Sequence, residues 1–440
     1  MSGLVMGLLA LGITTLLLVL RVHIGITMLV GGVACFWAVN EGDLSSLLFT
    51  LNNLTYSRLS NYDLAVIPLF VLMGQFATHG GLSRAIFRCA AAFIGHWRGG
   101  MGLSAIGACA GFGAICGSSL ATAATMSHVA LPELRRHHYS GGLATASVAA
   151  GGTLGILIPP SVPLIIYAVL TQESIAKLFV AAVIPGILAV IGYMLVLRLV
   201  IGRESEQATR SQPASLQERG RALLGVSPVI GVFLVVIVGI YGGWANPTEA
   251  ASIGAAACGL LAALQGGMRW MGLRASLLGT AQTTAMIFLV LLGADLLNAG
   301  LALTQMPAEL AQLVIDSGLA PMLVLLLILL LYLLLGCVMD SLAMILLTIP
   351  IFYPMIMGLD FFGLSESDKS IWFGILALMV VEIGLITPPL GMNLFIVQRS
   401  ASEVPYAETA RSIVPFLCSD VVRIALLALF PGLSLWLLTL

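Results

Sequence analysis

Twelve apolar runs follow one another along the chain, near residues 2–20, 24–39, 63–78, 99–131, 142–170, 178–200, 223–241, 249–268, 277–300, 319–357, 370–397 and 412–437. A helix needs about 20 consecutive apolar residues to cross the hydrocarbon of a bilayer. Charged residues are only 9% of the 440, against about a quarter in a soluble domain, and mean hydropathy is +1.07. Too little polar surface remains to face water. The pattern predicts an all-α polytopic membrane protein, with lipid as its solvent and about ten to twelve transmembrane segments at that span length. Met1–Leu20 lacks a basic n-region, so it reads as a first span rather than a cleaved leader.

The clearly polar stretch is Gly202–Arg221, with Arg203, Glu204, Glu206, Arg210, Glu218, Arg219 and Arg221. It divides the chain into N-terminal scaffold helices (1–62), a first repeat (63–200), a cytoplasmic linker (201–222), a scaffold helix pair (223–276) and a second repeat (277–440). Within 41–62, Leu44, Leu47, Leu48, Leu51 and Leu54 share one helical face. Such a helix lies on the membrane surface or packs on protein. The seven cysteines show no C-x-x-C spacing and read as buried small residues.

The repeats rest on four ordered matches. Leu69–Gly74 (LFVLMG) pairs with Phe288–Gly293 (FLVLLG), and Gly117–Ala121 (GSSLA) with Met339–Ala343 (MDSLA). Gly155–Pro160 (GILIPP) pairs with Gly384–Pro389 (GLITPP), and Ile184-Pro185 with Val414-Pro415. Any one match is ordinary apolar text; four in order imply an internal repeat. Basic residues make the repeats inverted. Arg84, Arg88 and Arg98 precede the first GSSLA segment and Arg135 and Arg136 follow it, whereas the equivalent flanks of the second carry only Lys369. After the double prolines the bias reverses, with Lys177 in the first repeat and Arg399 and Arg411 in the second. Cytoplasmic loops carry the excess of Lys and Arg. The first hairpin is therefore expected on the cytoplasmic side, the second outside, and the N-terminus periplasmic. Arg21 and the linker arginines then lie inside, and Arg58 outside.

Each hairpin must turn within the membrane. Ile106–Ala130 has no Asp, Glu, Lys or Arg, yet Gly117, Ser118 and Ser119 interrupt it. Two half-length helices joined at a polar tip fit the length between Gly99 and Arg135; a Ser/Gly packing motif in one continuous helix is the alternative. Further on, Gly151–Gly155 leads into Pro159-Pro160-Ser161-Val162-Pro163, and Gly384 into Thr387-Pro388-Pro389. Proline removes a backbone donor and clashes with the preceding turn, so each motif breaks or kinks a helix. Freed carbonyls suit Na⁺, and the positive N-terminal ends of half-helices suit a carboxylate. Gly155, Pro159, Pro160 and Ser161 in the first break, with Pro388, Pro389 and Asn393 in the second, are the candidate substrate-binding residues.

Acidic residues at membrane depth are costly and usually functional. Asp340 at the second tip is the leading candidate cation ligand. Glu382 is either a ligand or a structural hydrogen-bond partner. Asp420 is spaced to pair with Arg423, and Glu249 in Asn246-Pro247-Thr248-Glu249 reads as a helix-start carboxylate. No H-E-x-x-H and no phosphate loop with its lysine is present, and no basic block suggests nucleic acid. Ser118 or Ser119 with His128 would stand about 14 Å apart along a helix, too far for nucleophile and base. An enzyme is not expected.

GSSLATAA (117–124), the run 151–186, NPTEAA (246–251) and GLITPPLGMN (384–393) together resemble the large membrane subunit of tripartite ATP-independent periplasmic (TRAP) transporters, over nearly the whole chain. The resemblance implies an elevator-type, Na⁺-coupled importer with no organic cofactor and about two sodium sites. Ser118, Ser119, Gly152 and Thr153 match one site region, and Asp340, Ser341, Gly384 and Thr387 the other. The first tip has no acid opposite Asp340, which leaves that site to hydroxyls and carbonyls. The implied partners are a separate four-span small membrane subunit and a periplasmic substrate-binding protein, in a bacterial inner membrane. The implied cargo is a small organic anion, such as a C4-dicarboxylate or sialic acid. A stand-alone Na⁺- or H⁺-coupled anion transporter is the alternative.

Overall fold

A computed structural model describes residues 2–20, 22–204 and 213–439. Arg21 lies outside the described residues, as does the 205–212 stretch of the expected linker with Glu206 and Arg210; α10 runs into that linker and α11 begins within it. Every regular element among the described residues is a helix. Helices α1 (Gly3–Val19), α2 (Ile24–Val39) and α3 (Ser45–Leu59) open the chain, and α4 (Val66–His79) and α5 (Leu82–Ile94) follow. Next come α6 (Gly100–Cys116), α7 (Ser119–Arg136), α8 (Gly141–Leu157), α9 (Val162–Thr171) and α10 (Ile175–Glu204). Helices α11 (Leu216–Tyr241) and α12 (Pro247–Leu264) form the middle pair. The second half comprises α13 (Trp270–Leu303), α14 (Met306–Asp316), α15 (Pro321–Gly336), α16 (Ser341–Met357), α17 (Glu366–Gly384), α18 (Met392–Ser400), α19 (Tyr406–Leu429) and α20 (Gly432–Leu435).

Among the described residues, six helical segments are long and apolar enough to cross a membrane, or seven if the pair 45–59 and 62–79, bent by 58°, counts as one span. Five more apolar helices have 16 or 17 residues, α6, α15 and α16 among them. The hairpin arms α6 and α7, with 17 and 18 residues, run roughly 26 Å each at 1.5 Å per residue. They exceed the half-length helices read from the sequence. The reason is local: Ser118 caps α7 directly after the turn residue Gly117, so almost no chain is spent on the turn.

Every residue of α8 from Gly142 to Leu157 is buried, as is every residue of α17 from Lys369 to Gly384. A helix apolar all round belongs in the middle. Helices α6 and α7 pack on α8, α15 and α16 pack on α17, and α8 meets α17. In lipid, apolar burial gives little drive for helix association, so small residues that allow close backbones decide the packing. A Cβ on Gly113 would lie 2.6 Å from Gly155 Cα, and one on Gly384 would lie 2.5 Å from Gly336 Cα. The outer α10 and α11 instead expose Leu195, Leu199, Leu224, Leu234 and Val235, as expected of helices facing hydrocarbon.

Several local readings hold. Asn246 Oδ1 accepts from the Glu249 amide at 2.8 Å, and Glu249 Oε2 accepts from the Asn246 amide at 2.9 Å, a capping box that starts α12. Helix α3 packs Leu47 against Phe36 and Leu296 while Leu48, Phe49 and Tyr56 face outward. It therefore rests on protein and still presents an apolar outer face. The expectation of buried cysteines holds for four of the seven: Cys418 is exposed and Cys89 and Cys337 are half-buried, and all seven are free thiols.

Candidate functional site

The first hairpin turns on two residues, Gly117 and Ser118, and the second on four, from Cys337 to Asp340. Gly117 ends α6 with φ +63°, the left-handed conformation that glycine adopts without strain. It has a second constraint, since a Cβ there would lie 2.9 Å from Pro160 O. Ser118 then caps α7, its Oγ accepting from the Ala121 amide at 3.4 Å. In the second hairpin Asp340 has the same position on α16, with Oδ1 accepting from the Ala343 amide at 2.8 Å. Ser118 and Asp340 are both N-caps three residues before an alanine.

The two tips meet at one cavity of about 260 Å³. Its wall contains Gly117–Ala121 of the first tip and Asp340–Leu342 of the second. Gly74, Gln75 and Thr78 come from α4, and Thr283, Met286 and Ile287 from α13. Val162 and Pro163, at the start of α9, complete it beside the first tip. Among the described residues, no Lys or Arg lines it. The N-terminal ends of α7 and α16 both open onto this space, so two sets of unpaired amides and two positive helix ends converge there. That arrangement suits an anion held without a basic side chain.

Oxygen donors for a hard cation stand beside it. The Ser119 and Ser161 hydroxyls are buried, 1% and 0% exposed, and neither has a hydrogen-bond partner among the described residues. Ser161 lies at the first break, where the Val162 amide donates to Gly117 O at 3.4 Å. Hard cations take such oxygens. Among the described residues no cluster of three His, Cys, Asp or Glu is placed to hold a metal ion.

The structure thus gathers Ser118, Ser119, Asp340 and Ser341 around one cavity, with Pro160 and Ser161 behind Gly117, whereas Pro159 faces a separate apolar pocket against α10 and α11. The other candidates lie elsewhere. Gly152 backs onto Ala123 and Gly155 onto Ser118 O, where a Cβ would come within 2.7 and 2.8 Å. Their role is close packing of α8 on the hairpin. Gly384 packs likewise on Gly336. Thr387 donates to Ile383 O at 2.7 Å, and Pro388 and Pro389 lie in a break whose Pro389 and Leu390 are exposed. Asn393 is buried, with Oδ1 unpartnered and Nδ2 3.4 Å from Ala149 O.

Thr153 faces away from the tips. Its hydroxyl donates to Ala150 O at 2.6 Å and lies 3.2 Å from Tyr193 Oη, which donates to Asp420 Oδ2 at 2.8 Å. Arg423 Nη2 lies 2.9 Å from Asp420 Oδ1 and 3.8 Å from Glu382 Oε2. This buried cluster ties α8, α10, α17 and α19 together on the far side of α8. The i,i+3 pairing of Asp420 with Arg423 was legible in the sequence. Glu382's membership, with neither carboxylate oxygen hydrogen-bonded, was not. Sequence reasoning also missed Gln75, Thr78 and Thr283 as cavity walls. The repeated LFVLMG and FLVLLG strings mark their helices, but apolar strings do not say which polar neighbour turns inward.

The sequence matches the family described as "Tripartite ATP-independent periplasmic transporter, DctM component" over residues 11–433. The chain belongs to this TRAP transporter family. It is 33% identical to the C4-dicarboxylate TRAP transporter large permease protein DctM of Pseudomonas aeruginosa, covering 90% of this chain and 92% of that one. It is also 33% identical to the sialic acid TRAP transporter large permease protein SiaM of Vibrio cholerae, covering 86% of each. The isethionate TRAP transporter permease protein DctMQ of Oleidesulfovibrio alaskensis is 30% identical over 79% of this chain and 54% of its own length. Among solved structures, the YdaH transporter of Alcanivorax borkumensis superposes with a TM-score of 0.62 at 15% identity, covering 89% of each chain, a likeness of fold. As a TRAP large permease, the chain is a multi-pass membrane transport protein and not an enzyme.

Proposed function

We propose that this permease is the substrate-carrying subunit of a Na⁺-driven importer of a small organic anion, of the carboxylate class. The convergence of the α7 and α16 N-termini on one cavity without a basic side chain carries the reading. A volume of about 260 Å³, just under the range of roughly 300–1,000 Å³ usual for ligand pockets, suits a compact anion. C4-dicarboxylate and sialic acid are the cargoes in the names of relatives.

Na⁺ coupling is supported by the unpartnered Ser119 and Ser161 oxygens and by Asp340 on the opposite tip. Ser119 and Ser161 would hold one cation. Asp340, whose Oδ1 is engaged by the Ala343 amide, would offer its other oxygen to a second. Cations here would lower the electrostatic cost of bringing an anion beside Asp340, so that closing the tips requires both.

Two inverted repeats are supported by matching element order. The series α4 to α10 and α13 to α19 each contain a hairpin, a buried helix, a proline break, a short helix and a long one. The glycine crossings Gly113–Gly155 and Gly336–Gly384 fall at equivalent places. An elevator movement would carry α6–α9 and α15–α18 against the outer helices. The family's tripartite composition supports a small membrane subunit and a periplasmic binding protein as partners. The reading includes an inner-membrane location with the N-terminus periplasmic, from the Arg and Lys distribution.

Proteoliposomes containing both membrane subunits, supplied with binding protein, test the proposal. Succinate or N-acetylneuraminate uptake should rise with an inward Na⁺ gradient and fall to background without it. Uptake indifferent to that gradient would refute the coupling.

A further inference from the structure

A second cavity, of about 470 Å³, adjoins the first along α4 and α7. Thr78 stands in the wall of both. From the tip cavity, α7 turns one face along the space between: Ala121, then Thr125, then His128, at the four- and three-residue steps that keep side chains in line. Ser118 and His128 are ten residues apart, roughly 15 Å along the helix. On the other side Thr78 leads to Ser83 and Arg84. Arg84 is exposed and, among the described residues, has no carboxylate partner. The cleft therefore runs from a cavity with no basic side chain to a mouth that carries one permanent positive charge, flanked by the Thr125 hydroxyl and the His128 ring.

We propose that Arg84, Thr125 and His128 form a second anion subsite, for a small carboxylate leaving the tip cavity toward the side that bears Arg84, Arg88 and Arg98. This rests on the anion-transport reading above. An anion held only by helix ends gains a charged partner one step further along, which draws it down the cleft. The guanidinium supplies paired donors matched to a carboxylate. At an exposed mouth its hold is weak enough for release.

Labelling tests this without any gradient or partner subunit. Thr125→Cys is introduced into a Cys89→Ser, Cys337→Ser, Cys418→Ser background and treated with the anionic methanethiosulfonate MTSES or the cationic MTSET. The subsite predicts that MTSES gains on MTSET by roughly tenfold relative to the Arg84→Gln, His128→Gln version, through focusing of the field in the cleft. It also predicts that succinate or N-acetylneuraminate slows MTSES labelling, and that Arg84→Lys keeps most of the charge preference. An unreactive thiol in the Thr125→Cys variant, an unchanged MTSES-to-MTSET ratio in the double variant, or labelling indifferent to both carboxylates would overturn the proposal. Loss of Na⁺-driven uptake with the labelling pattern intact would count against the transport reading alone.

Discussion

Arg58 at the end of α3 closes a two-pronged ion pair with Asp295 in α13, Nη2 lying 2.7 Å from Oδ1 and Nε bonding Oδ2. The side chains are 21% and 6% exposed. The pair fastens a helix that otherwise rests on Leu47 alone among its buried residues. Removing the arginine strands a buried carboxylate, which costs about 3 kcal/mol or more, whereas removing both charges costs less. Arg58→Met should lower the melting temperature in detergent more than Arg58→Met with Asp295→Leu does. Scanning fluorimetry on the two variants measures it, and additive losses would contradict a coupled pair.

The shared cap position of Ser118 and Asp340 separates two roles of one side chain. Asn caps a helix about as well as Asp. Asp340→Asn should therefore leave stability near wild type while raising the Na⁺ concentration needed for half-maximal uptake. Asp340→Ala should lose the cap as well, at about 1 kcal/mol. Wild-type Na⁺ dependence in Asp340→Asn would remove the carboxylate from any cation site.

Backbone contact at the glycine crossings leaves no room for side chains. At Gly384 a Cβ would meet Gly336 Cα at 2.5 Å, and at Gly155 it would meet Ser118 O at 2.8 Å. Overpacking costs about 1–3 kcal/mol even where neighbours can shift, and backbone shifts poorly. Gly384→Ala and Gly155→Ala should reduce the yield of monodisperse protein on size exclusion. Gly12→Ala, with nothing within 4 Å of the added carbon, is the matched control and should be neutral.

Arg423 stands close to two buried acids, Asp420 at 2.9 Å and Glu382 at 3.8 Å. Arg423→Gln should leave two uncompensated carboxylates and abolish folding, a loss of several kcal/mol. Adding Asp420→Asn and Glu382→Gln should restore a folded protein, since the cluster is then uncharged. Expression followed by fluorescence-detected size exclusion distinguishes rescue from its absence.

The sequence by itself determined what depends on neighbours in the chain. Scarce charge selected lipid as solvent. Pro159-Pro160 and Pro388-Pro389 ended helices because proline acts on its own preceding turn. Gly117, Ser118 and Asp340 marked the hairpin turns because left-handed backbone and capping are satisfied within three residues, and Asn246 and Glu249 closed a box for the same reason. Tertiary structure alone decided which of these points meet. Thr153, one residue after Gly152 and two before Gly155, turns to Tyr193 and the Arg423 cluster instead of to the tips. The two tips, more than 200 residues apart in the sequence, face one cavity with Thr78 and Thr283 in its wall. A helical position can lie on any face of its helix, and which face finds a cavity or an ion pair depends on where distant helices pack. That information lies in no single turn of the chain, so the breaks and caps were legible early and the site they build was not.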